Sequence, residues 1–178
     1  MPRLGDVEAD TATEEVQPIF AALESTVGRV PNIYAGMANS PAALRAALTG
    51  DRLIGQGTLT GVEQIVVKLT VGRHYACEYC LAACTAVGAS RGLTPEQMIA
   101  IRKGQADDPK YQALLQFTRR VLATQGRVAD TELDAFRAAG YTDCHVVEVL
   151  LIIGTLTMAG FFNNLNETEL DFPPAPAL

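Results

Sequence analysis

The chain of 178 residues has no tryptophan, and its aromatic residues make up only 6% of the total. A core must therefore be built from aliphatic side chains, and with 48% apolar and 19% charged residues the composition fits an Ala- and Leu-rich helical protein, not a disordered or fibrous one. Basic residues are also few: 14 Lys and Arg face 20 Asp and Glu, a net charge of -6. With those cations scattered, no basic groove is expected and nucleic acid is excluded as a partner. The acidic start "MPRLGDVEADTATEEV" has no apolar secretory segment. The most apolar stretch, Val149 to Phe162, reads as a buried helix too short to span a bilayer. The expectation is a cytoplasmic protein with no membrane partner.

Strand alternation is equally scarce, whereas helix punctuation recurs. A helix over Glu14 to Val27 stops at "GRVPN". Ser40-Pro41 opens one to about Ile54, and Thr60 caps the next, with Val62, Ile65, Val66 and Leu69 on one stripe. Thr94-Pro95-Glu96-Gln97 is a capping box, Asp108-Pro109 opens a helix to about Thr124, and Asp130 caps another. Thr142 or Asp143 starts a long final helix, apolar nearly all round and so expected to be central. The tail from 171 to 178 is Pro-rich and cannot continue a helix. This predicts one all-α domain over 1–178, with about seven or eight helices.

Against this background stands "RHYACEYCLAACTAVGAS", with Cys77, Cys80 and Cys84 in eight positions. On a helix, residues three and four apart share a face, so the three thiols form one stripe. A chain break near Tyr75 and Ala76 puts Cys77 in a first helical turn, where free backbone N–H groups favour a thiolate. Such a thiolate attacks a peroxide or disulfide, and a thiol three residues away condenses with the product. Zinc is a rival, with His74, Cys144 or His145 as a fourth ligand, but structural zinc sites usually carry paired Cys-x-x-Cys knuckles and only one pair exists here. A redox-sensing thiol cluster is a third reading. Cys144 itself reads as an ordinary core thiol. "GQGTLTG" has no strand before it and no Lys-Ser/Thr pair, so no nucleotide loop is expected.

The segment "GRHYACEYCLAAC", flanked by "LTGVEQIVVKLTVG", "GLTPEQM" and "FFNNLNETELDFPP", resembles the AhpD-like, carboxymuconolactone decarboxylase superfamily, over about residues 40 to 173. In its peroxidase branch, the resemblance implies an all-α bundle, trimers or hexamers, and reduction of hydroperoxides through two cysteines recycled by a dithiol reductant. No metal, flavin or nucleotide cofactor is implied. Carried over, Cys80 attacks and Cys77 resolves. The family's proton relay places a Glu twelve residues before the first cysteine, a His between the two and a His four after the second; those positions hold Ile65, Tyr79 and Cys84. Glu63 lies about 200° away around a helix and does not substitute. His74, Tyr79, Glu148 and Cys84 are the candidate stand-ins.

Overall fold

The computed structural model describes residues 2–178, and among these there are nine α-helices and no strand. They are α1 (Gln17–Val27), α2 (Asn32–Met37), α3 (Pro41–Gly55), α4 (Gly61–His74), α5 (Glu78–Ser90), α6 (Pro95–Lys103), α7 (Pro109–Thr124), α8 (Asp130–Ala138) and α9 (Asp143–Asn166). Most starts follow from side chains that satisfy the first free amides. Ser40, Thr60, Thr94 and Asp108 accept from the N–H of Ala43, Glu63, Gln97 and Lys110 respectively. Glu63 and Gln97 return the bond to the Thr60 and Thr94 amides.

Three local expectations shift. The first helix begins at Gln17, not Glu14. Asp130 lies inside the first turn of α8, while Glu132 accepts from the Ala129 amide. The six-residue α2 went unforeseen because no side chain caps it; instead Asp171, from the far end of the chain, accepts from the Asn32 N–H at 2.9 Å.

The central helix is α4, not α9. Buried residues lie on every side of α4, which packs against α5, α6, α7 and α9. The long α9 contacts α2, α3, α4 and α5 but leaves an apolar flank open: Val147 is 65% and Phe161 58% exposed, and Leu150, Leu151, Met158 and Leu165 are exposed with them. At 24 residues it is also longer than the apolar stretch read from the sequence, and long and apolar enough by length and composition to cross a membrane, with 22% of its most apolar window buried. Its apolar residues run nearly all round because one side serves the bundle and the other is bare.

Glu63, buried at 2% exposure, ties α4 to α7 and to the turn between α8 and α9. Its carboxylate meets Lys110 Nζ at 2.9 Å and accepts from the Tyr141 hydroxyl at 3.1 Å. Burial alone would raise its pKa; the bonds from Lys110 and Thr60 outweigh burial and hold it below the usual value.

Candidate functional site

The cysteine segment begins where α4 ends. Ala76 takes a left-handed conformation, φ +49°, so that its amide reaches the Arg73 carbonyl and the Cys77 amide the Gly72 carbonyl at 3.0 Å. This is the Schellman arrangement with alanine where glycine is usual, at a cost of about 1 kcal/mol. Cys77 then serves the next helix: it is the N-cap of α5, and its Sγ accepts from the Cys80 N–H at 3.1 Å. One residue closes α4 with its amide and opens α5 with its sulfur. The expected position in the first turn is thus displaced by one residue, to the cap. Cys77 and Cys80 are joined as a disulfide, with Cα atoms 5.2 Å apart.

The last turns of α9 clamp this corner. The α9 backbone runs close here: a Cβ at Gly160 would make ordinary contact with the Tyr75 Cβ at 3.6 Å and the Cys77 Cβ at 3.8 Å. Asn164 Nδ2 donates to the Tyr75 carbonyl at 2.8 Å. The buried Asn163 points Nδ2 at both sulfurs, 3.8 Å from Cys77 Sγ and 3.6 Å from Cys80 Sγ. Its Oδ1 has no partner. Weak sulfur contacts gain strength when the sulfur is a thiolate, because the bond is then charge-assisted.

Cys80, not Cys77, opens onto a pocket of about 390 Å³. Ile65 and Cys84 stand beside it, and Leu156, Ile33 and Phe172 add apolar wall. One polar set breaks this wall: Lys68 Nζ meets Asp51 at 3.1 Å, and the Tyr34 hydroxyl donates to the same carboxylate at 2.9 Å. Burial, then Asp51, pushes the Tyr34 phenol up. Burial likewise pushes the Cys84 thiol up to about 11, against the pull of Lys68. Cys84 is therefore a neutral thiol at physiological pH.

A strap from the tail adds to the pocket's wall. Tyr79 stacks edge-on against Phe172, centroids 5.8 Å apart, and its hydroxyl sits 3.5 Å from the Ile33 amide. Burial, followed by the bond to Asp171, pushes the Tyr79 phenol up. Arg29 holds both strap residues, pairing with Asp171 at 3.6 Å and lying over the Phe172 ring.

Of the residues singled out in the sequence, Cys77, Cys80, Cys84 and Tyr79 come together, as does Ile65. Two stand-ins lie elsewhere. His74 is exposed, edge-on to Tyr75, in a surface depression shared with Arg73, Arg102 and Arg119. Glu148 accepts from the Thr58 and Leu59 amides at 2.7 and 2.9 Å, anchoring the α3–α4 loop, and these bonds overcome burial to hold its pKa low. Cys144 is exposed, 3.6 Å from Glu148, and is no core thiol. Glu63 faces Lys110 and Tyr141, as its helical angle requires. Among the described residues no three His, Cys, Asp or Glu side chains converge into a metal-binding group, which removes the geometric basis for zinc. Lys68, Asp51, Tyr34 and Asn163 escaped notice because distant helices bring them in. Lys68 left one signal, as the lone charge between Glu63 and Arg73 on the most buried helix.

An all-α bundle with a Cys-x-x-Cys pair at a helix start, clamped by the terminal helix, has the AhpD-like fold. The particular relatives are solved structures. The alkylhydroperoxidase AhpD core of an uncharacterised peroxidase-related protein from Ralstonia eutropha JMP134 superposes with a TM-score of 0.87 at 20% identity, covering 96% of this chain and 92% of its own. A peroxidase-related protein from Silicibacter sp. TM1040 gives 0.82 at 18% identity, covering 96% and 91%. The debrominase Bmp8, in complex with 2,3,4-tribromopyrrole, gives 0.78 at 14% identity, covering 95% and 91%. No protein-family profile and no curated protein matches the sequence.

Proposed function

We propose that the chain is a thiol-dependent oxidoreductase of the alkylhydroperoxidase type. The observation that carries this reading is the position of Cys80, bonded to Cys77 and lining an open, mostly apolar pocket. The Cys80 thiolate attacks the terminal oxygen of a hydroperoxide; the O–O bond breaks, Cys80 becomes a sulfenic acid and the alkoxide leaves with a proton. Cys77 attacks that sulfur, water departs and the disulfide forms. An external dithiol supplies two electrons and is itself oxidised. The α5 N-terminus and Asn163 Nδ2 stabilise the thiolates. The leaving oxygen finds its proton on the Cys84 thiol or the Lys68 ammonium. Such a cycle belongs in a reducing compartment such as the cytoplasm.

One observation favours a second reading, a redox sensor: no carboxylate or imidazole replaces Ile65 and Cys84 beside the pair. Turnover separates the two. The purified protein with excess dithiol is expected to consume many equivalents of organic hydroperoxide per chain; consumption that stops at one equivalent overturns the enzyme reading.

The bare flank of α9 supports assembly of chains into a homo-oligomer, a trimer or hexamer. Positions 147, 151, 154, 158, 161 and 165 recur at the four-three spacing of a helix-packing seam, and such a patch is unusual on a monomer. Sedimentation at micromolar concentration is expected to show a multiple of 19 kDa, with Phe161→Glu shifting it towards the monomer. A 19 kDa species alone would sink the proposal.

A further inference from the structure

The pocket has a direction. Cys80, Ala83, Cys84, Val87 and Arg91 all line it, and their spacing of three, four, seven and eleven residues is one face of α5 and its C-cap. The reactive sulfur stands at one end of this floor and a guanidinium at the other, about 16 Å away at about 1.5 Å per residue. Between them the α5 floor of Ala83, Cys84 and Val87 is apolar, the Lys68–Asp51–Tyr34 set standing in the wall, and Val87 and Val27 leave 40% and 52% of their area to solvent.

Arg91 is held in place. Its Nη1 donates to the Gly61 carbonyl at 2.7 Å and to Gln64 Oε1 at 3.2 Å. Gln64 is itself buried, with Nε2 bonded to the Ile54 and Leu59 carbonyls at 3.0 and 2.9 Å. A Cβ at Gly61 would lie 2.6 Å from Nη1, so glycine lets the guanidinium rest against the α4 backbone. Among the described residues no carboxylate lies within ion-pair distance of Arg91, whereas the groove's other cation, Lys68, is answered by Asp51. A cation after α5 also suits the helix dipole, but that role requires neither the buried Gln64 nor the apolar floor.

We infer that this groove takes a long-chain carboxylate, its head on Arg91 and its chain along α5 towards Cys80, so that the reducible substrate is a fatty-acid hydroperoxide. The inference rests on the reading of Cys80 as the reacting thiol. Carbon–carbon bonds near 1.5 Å advance an extended alkyl chain by about 1.3 Å per carbon, so the floor accommodates roughly a dozen carbons between head and sulfur. Guanidinium suits a carboxylate because it offers paired donors in one plane.

The test uses hexadecanoate, its methyl ester and octanoate, with binding measured by calorimetry and Cys80 accessibility by its alkylation rate with iodoacetamide in the reduced protein. Hexadecanoate is expected to bind and slow alkylation several-fold, at concentrations where octanoate and the ester do not. Arg91→Met should reduce the acid-to-ester affinity ratio at least about tenfold, while Arg91→Lys retains most of it. Val87→Asp, at an exposed position in mid-groove, should weaken the acid by a similar factor. Equal binding of acid and ester, an unchanged ratio in Arg91→Met, or binding that leaves Cys80 alkylation unaffected would each overturn the inference. Neither readout needs turnover, so a protein that binds in this pattern yet reduces no hydroperoxide would refute the peroxidase reading, and the substrate assignment with it, while the carboxylate site in the groove would stand.

Discussion

Cys80→Ser is expected to reduce hydroperoxide turnover by at least about 10³-fold, because it removes the nucleophile and leaves only binding and positioning. Cys77→Ser has a different signature. The pocket-facing sulfur survives, reacts once and stops as a sulfenic acid, so the protein consumes one equivalent of peroxide and then waits. Cys84, one turn further along α5, is the thiol that would rescue this variant. With its pKa at about 11, roughly one molecule in several thousand carries the Cys84 thiolate at pH 7.5. Resolution through Cys84 should therefore be slow at neutral pH and quicken about tenfold per unit towards pH 10. Peptide mapping of the oxidised proteins checks the order: a Cys77–Cys80 bridge in the wild type, and a Cys80–Cys84 bridge in Cys77→Ser only at alkaline pH. Full turnover by Cys80→Ser would remove Cys80 from the mechanism.

The second large effect runs the other way. Ile65 and Cys84 both line the pocket beside Cys80, at the positions where the resembled family carries a carboxylate and an imidazole. Ile65→Glu combined with Cys84→His would place a proton acceptor and donor within reach of the sulfur, and general acid–base assistance is typically worth about 10² to 10⁴ in rate. At least about a tenfold rise in turnover is expected. Burying a carboxylate at Ile65, 1% exposed, is costly if it is unpaired. Lys68, three residues on and facing the same pocket, offsets that charge. A folded double variant with no gain, while Cys80→Ser still abolishes turnover, would mean that other residues already move the proton.

Helix starts were legible because their signals are local. Ser40, Thr60, Thr94 and Asp108 each cap within their own segment, so a short window of sequence contains both donor and acceptor. The cysteine corner was legible for the same reason. What stayed hidden depends on partners far along the chain: α2 leans on Asp171, and Asn163 reaches the sulfurs from eighty-odd residues away. The exposure of α9 was hidden differently. Its apolar residues satisfy a buried and an unpartnered face with the same side chains, and composition does not distinguish a neighbour within the chain from one outside it. Arg91 likewise depends on Gln64, 27 residues earlier, which no short window of sequence joins to it.

The strap across Tyr79 places the site in time as well as in space. Its bonds join Asn32 to Asp171, 139 residues later, and its ring is Phe172. At a synthesis rate of about 5 to 20 residues per second, the 92 residues from Cys80 to Phe172 take roughly five to eighteen seconds to make. Throughout that interval the thiols are already part of the growing chain but the wall over them has not yet been made. The pocket wall over Tyr79 is thus completed only after the helix that carries the cysteines has been made.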